Sequence, residues 1–179
     1  MVRRRTTKTL SPLTAGDRIL REQLAALLEG SEAHADAPPI LRAFPAALRG
    51  LKPHGAPHSA WQLLEHMRIA QWDILEYCRN PDHKSPKWSE GYWPATEAPP
   101  SPHAWDRSCK EFLSDRSAMK RLVARPGADL FAKIPHGGGQ TLLREALLVV
   151  DHNAYHLGQL VLVRRMLGVW PADDKSSSS

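Results

Sequence analysis

The sequence predicts an all-α fold, a four-helix bundle with long proline-rich connections. Three observations carry that expectation. Apolar residues recur at three- and four-residue steps in four segments, strand-type alternation is poor throughout, and Gly- and Pro-rich stretches separate the segments. At 179 residues the chain fits one domain. That domain is expected over residues 14–171, between a flexible basic arm at 1–13 and a disordered polar tail at 172–179. The long connections leave the up-and-down order open from periodicity alone.

The first predicted helix runs from Thr14 to Glu29. Thr14 and Asp17 suit an N-terminal cap and first turn, and Gly30 suits the stop. Its expected inward stripe is Ile19, Leu20, Gln23, Leu24, Leu27 and Leu28. A Pro- and Gly-rich connection at 31–57 follows, with a short helical turn expected around Leu41–Leu48. The second predicted helix opens at Ser59, where Gln62 completes a capping box, and stops before Asn80-Pro81. Residues 81–102 form a second proline-rich connection carrying Trp88, Tyr92 and Trp93. A loop of this length reads as a site rim or lid, or as a segment packed onto the domain by its aromatics. Ser101 and Pro102 predict the start of a third helix, with Trp105, Phe112, Met119 and Leu122, ending before Pro126. The loop DLFAKIPHGGGQT then leads into a last helix from Thr141 to Leu167, stopped by Gly168.

Charge and cysteine content narrow the function classes. The net charge is +5, but apart from Arg3–Arg5 and Arg164–Arg165 the basic residues are dispersed and not interleaved with aromatics. A solvated basic surface is expected, with no nucleic-acid binding. No run of about 18 apolar residues suggests a membrane span, and MVRRRTTK lacks the apolar stretch of a secretory signal. A cytoplasmic location is expected. Cys78 and Cys109 are too few for a disulfide framework and are expected as free thiols.

The chemistry concentrates in DHNAYHLGQL, residues 151–160. The last helix's stripe steps through Leu142, Ala146, Val149, His152, His156, Leu160, Val163 and Leu167, so two histidines interrupt the face meant for the core. Side chains at i and i+4 are neighbours and can share one ion. The spacing matches the H-E-x-x-H helix of metalloproteases, but Asn153 stands where that chemistry needs a glutamate base. On the second helix the stripe Leu63, His66, Ala70, Asp73, Tyr77 offers His66 as a third ligand, with Asp73 two turns on. Glu65 and Glu76 fall beside that stripe and are expected in solvent. The competing reading is three satisfied core histidines. Asp73, Asp151 and Gln159 are candidates to orient imidazole N–H groups or line a pocket. His136, on the glycine-rich loop, reads as a surface residue or a pocket-mouth residue.

HSAWQLLEHMRIAQWD, the G-Q-T entry to the last helix, and DHNAYHLGQLVLVRRMLGVWP together resemble the DinB-like (DinB/YfiT) family of four-helix metalloproteins. The most specific part is H-x-x-x-H-x-G-Q followed by the arginine pair and L-G-x-W-P. The resemblance implies an up-down-down-up bundle and a divalent metal held by His66, His152 and His156. It also implies chemistry of the kind its characterised relatives perform, thiol-dependent transfer or isomerisation with a low-molecular-weight thiol. Three imidazoles leave a tetrahedral ion one open position, and zinc or nickel suits them. A metal-dependent thiol-type transferase acting on a small molecule is the leading expectation. A metal-dependent hydrolase and a non-catalytic, metal-stabilised bundle working through a partner or a homodimer interface are the alternatives.

Overall fold

The computed structural model describes residues 14–30, 33–42 and 44–170. The arm expected at 1–13 and the tail expected at 172–179 lie outside the described residues. Within them the chain is helical: α1 (Ala15–Glu29), α2 (Ala37–Leu41), α3 (Ala60–Arg79), α4 (Ala104–Ala124) and α5 (Leu142–Met166), with 3-10 turns at Ala46–Leu48 and Glu90–Tyr92. The described residues include no strand, only an isolated bridge between Lys133 and Thr141. The four long helices are those predicted; α2 and the first 3-10 turn occupy the first proline-rich connection.

Local chemistry explains most boundaries. Thr14 and Asp17 exchange capping bonds at 3.1 Å each, and Gly30 ends α1 at φ 85°, a conformation that costs glycine little. Ser59 and Gln62 do the same for α3, at 3.0 and 3.2 Å. Thr141 Oγ1 accepts the Arg144 amide at the start of α5. The start of α4 differs from the prediction. Helix begins at Ala104, because the Ser101 carbonyl, rather than its hydroxyl, accepts the Ala104 amide, making a turn before the helix. The α1 stripe is also shifted. Ile19 and Leu27 are 58% and 43% exposed, while Arg21, Leu24 and Leu28 are buried. Arg21, outside the predicted stripe, takes an inward position because its guanidinium donates to the Val123 and Ala128 carbonyls.

Contacts between helices set their directions. Arg21 reaches Val123 and Arg116 reaches the Glu29 carbonyl, so α1 and α4 run antiparallel. Glu65 meets Ser108 and Gln71 meets the Phe112 carbonyl, so α3 and α4 run parallel. His66 meets His156 and Gln71 meets Asn153, so α3 and α5 run antiparallel. Arg164, 1% exposed, ties the first connection to the end of α5. It donates to the Ile40, Arg42 and Val169 carbonyls at 2.6–3.1 Å and lies over Phe44 and Trp170.

Two apolar clusters fill the bundle. One gathers Trp61, Leu64, Met67, Trp105, Phe112 and Leu160; the other gathers Leu24, Leu28, Leu75, Met119 and Val149. Between them α3 carries Gln71 and Asp73 and α5 carries His152, Asn153 and His156, while His66 stands among Leu63, Leu64 and Met67 of the first cluster.

Candidate metal centre

His66 comes from α3; His152 and His156 come from consecutive turns of α5. One ring nitrogen from each lies within 4.8 Å of the other two, and the Nε2 atoms of His66 and His152 are 3.1 Å apart. Two imidazole nitrogens bound tetrahedrally at about 2.0–2.1 Å would stand about 3.3 Å apart, so this spacing suits one ion. His66 and His156 are buried and His152 is half-buried.

The outer nitrogens orient the rings. His66 Nδ1–H donates to the Tyr92 main-chain carbonyl at 2.9 Å, and His156 Nδ1–H donates to Gln159 Oε1 at 2.7 Å. Each bond selects the tautomer whose Nε2 lone pair is free to face the shared centre. His152 Nδ1 is buried without a hydrogen-bond partner. Burial holds all three imidazoles below the ordinary histidine range; His58 lowers His66 further, His66 and His58 lower His156, and His156 and His66 lower His152, which is pushed down to about 4. At neutral pH they are therefore neutral, which is the ligating form. A neutral, convergent, pre-oriented set of nitrogens with one ring still short of a partner fits a divalent ion better than it fits a self-satisfied polar core.

The second proline-rich connection forms a wall of this centre. Trp93 stacks on His66, with centroids 3.9 Å apart and planes 2° from parallel, and His58 stacks on the other side of Trp93 at 4.1 Å. The connection is held down by Asp73, which accepts from Tyr92 Oη at 2.6 Å and His83 Nε2 at 2.7 Å. Asp73 therefore does not touch the imidazoles. It anchors Tyr92, whose carbonyl orients His66.

Of the predicted site residues, the structure brings together His66, His152, His156 and Gln159, and it joins Asp73 indirectly. Asp151 is exposed on α5 with no hydrogen bond to the cluster, since adjacent helix residues point about 100° apart. His136 is also remote and exposed, bonded to the Tyr77 carbonyl. Glu65 is not in solvent. It is 8% exposed, paired with Arg68 at 2.8 and 2.9 Å and receiving the Ser108 hydroxyl, which holds its carboxyl below the usual range despite burial. Tyr92, Trp93 and His58 carried no signal of their own in the sequence beyond the aromatic content of the connection.

With this geometry in view, comparison with protein families matches the model described as the DinB superfamily over residues 2–160. The chain belongs to the DinB superfamily. The match spans all three histidines and stops before the arginine pair and the terminal tryptophan motif. Comparisons of this DinB superfamily chain with curated proteins and with solved structures returned no match. No helix among its described residues is long and apolar enough to cross a membrane.

Proposed function

We propose that this chain is a metal-dependent enzyme of thiol-transfer type acting on a small molecule, with His66, His152 and His156 as ligands of one zinc or nickel ion. The observation that carries this reading is the convergence of three neutral imidazoles, two of them fixed from behind by the Tyr92 carbonyl and Gln159. An ion held by these three imidazoles would supply Lewis acidity to a bound thiol or water. The chain's own groups do the remaining work. Tyr92 and Gln159 hold the ring protons at Nδ1, and Trp93 shields one face of His66 from water. Asp73 keeps the Tyr92–Trp93 segment against the centre.

Cytoplasmic location and a small-molecule partner follow as part of the same proposal. Catalysis is favoured over a purely structural metal because two apolar clusters give the bundle a core that does not depend on the ion. The deciding experiment is elemental analysis of the purified chain beside a His66→Ala, His152→Ala, His156→Ala triple variant. About one equivalent of metal in the parent and none in the variant is expected; equal content in both overturns the reading. Chelation then separates the two roles. An apo chain that stays folded supports catalysis, whereas melting of the bundle on metal loss supports the structural role.

A further inference from the structure

A trough of about 220 Å³ lies one turn along α5 from the histidines, between residues 54–58 and the last turns of that helix. Leu63, Leu162, Val163 and Met166 supply its apolar walls; His54, His58 and Gln159 are its polar side chains. Neither acidic nor lysine or arginine side chains line it, in a chain that is 24% charged. Leu162 and Met166 are left 57% and 47% exposed there, although polar residues are the ordinary occupants of such helix positions.

The trough is continuous with the frame of the metal centre. Gln159 lines it and also holds His156; His58 lines it and stacks on Trp93, which stacks on His66. Concave, mostly apolar sites with a few polar groups at one end are the usual form of small-molecule pockets. At about 30 Å³ per water, the volume equals about seven waters, hence a group of about six or seven heavy atoms.

We infer that this trough holds the uncharged apolar portion of the substrate, a short alkyl chain or a single ring, while the substrate's polar head reaches the three-histidine centre between His58 and Gln159. The inference rests on the proposed metal reading and adds the ligand class. A strongly anionic or heavily hydroxylated group is disfavoured in the trough, because its walls carry no lysine or arginine and only His54, His58 and Gln159 as polar side chains.

Two measurements on the full chain test it. In the metal-free protein, 1-hexanol is titrated while the Met166 methyl signal is followed by NMR. A saturable shift is expected in the parent and its loss in Leu162→Asp, a position exposed enough to tolerate the change. In the zinc-loaded protein, acetohydroxamate and hexanohydroxamate are compared by calorimetry. Full burial gives about fourfold per methylene, and half-exposed walls reduce this, so at least about tenfold tighter binding is expected over four methylenes. Leu162→Asp and Met166→Asp should abolish the gain and leave acetohydroxamate affinity unchanged. Equal affinity for the two hydroxamates, a gain that survives both variants, or no hexanol shift overturns the inference. If hexanol binds but acetohydroxamate does not and no metal is retained, the metal reading fails, and with it the link between trough and histidines.

Discussion

Replacing Asp73 by alanine removes the anchor of the Tyr92 segment without touching any imidazole. The carboxylate is 8% exposed and accepts two bonds, at 2.6 Å from Tyr92 Oη and 2.7 Å from His83 Nε2. Hydrogen bonds to charged groups contribute about 1.5–3 kcal/mol each, and the loss is partly offset where the half-buried Tyr92 hydroxyl turns toward solvent, although the His83 side chain is only 7% exposed. The expected loss is therefore on the order of 2–4 kcal/mol of folding stability. The more specific effect falls on the metal. With Tyr92 released, its carbonyl no longer holds His66 Nδ1–H, and loss of such an orienting partner typically weakens metal binding about 10–100-fold. The assay is competition for zinc against a chromophoric chelator at pH 7, with urea unfolding in parallel. Asp73→Asn keeps one acceptor and should fall between parent and Asp73→Ala. Glu111→Ala, which removes an exposed carboxylate paired with Arg68 at 3.5 Å, serves as control and should leave zinc affinity unchanged. If Asp73→Ala loses stability but binds zinc within about twofold of the parent, Tyr92 is held by other means and the relay is wrong.

Further expectations concern pH, packing and thiol reactivity. Because burial lowers the pKa of the three histidines, the unfolded metal-free chain takes up protons before the folded one as pH falls. Stability should drop from about pH 6.5 toward 4, by at most on the order of 3 kcal/mol for His152. Urea midpoints from pH 7 to 4.5 measure this, and an unchanged slope in His152→Leu would refute it. Arg164→Met strands the Ile40, Arg42 and Val169 carbonyls and should cost about 3 kcal/mol, lowering Tm by about 6–12 °C in calorimetry. A shift under about 2 °C would show that the three carbonyls find other partners. Burial pushes the Cys78 and Cys109 thiols up to about 12, so iodoacetamide at pH 8 should modify both far more slowly than in the urea-unfolded chain. Equal rates would contradict their placement. Ala at Gly137 places a Cβ against the Tyr77 hydroxyl, which bonds Gln140 and the Gly138 amide. It should cost about 1–3 kcal/mol, read by urea unfolding.

Those features legible in the sequence are the ones governed by local rules. The Thr14–Asp17 and Ser59–Gln62 caps depend on residues three apart, and the stop at Gly30 depends on one residue. His152 and His156 could be paired from their i,i+4 spacing, and His66 from its place on a second apolar stripe. The misplaced features depend on partners distant in sequence. Glu65 looked solvated because it falls beside the α3 stripe; Arg68 on its own helix and Ser108, on α4, are what make its burial tolerable. Arg21 broke the α1 pattern because its acceptors are carbonyls at Val123 and Ala128, and main-chain oxygens have no sequence signature. Asp73 stood on the correct stripe, but its partners Tyr92 and His83 sit on a connection whose path periodicity does not predict.

The bond between Tyr92 and His66 has a genetic consequence. Its acceptor belongs to the peptide backbone, so every amino acid at position 92 still carries it, and a substitution there acts on the link only through the phenol's bond to Asp73. What the site reads at that point is the course of the chain. One-residue deletions or insertions between 81 and 92 shift which carbonyl faces His66, whereas many point substitutions there leave it in place. The selective constraint on this connection is accordingly one of length and trajectory more than of side-chain identity, and variants of the loop should be ranked by how many residues they add or remove.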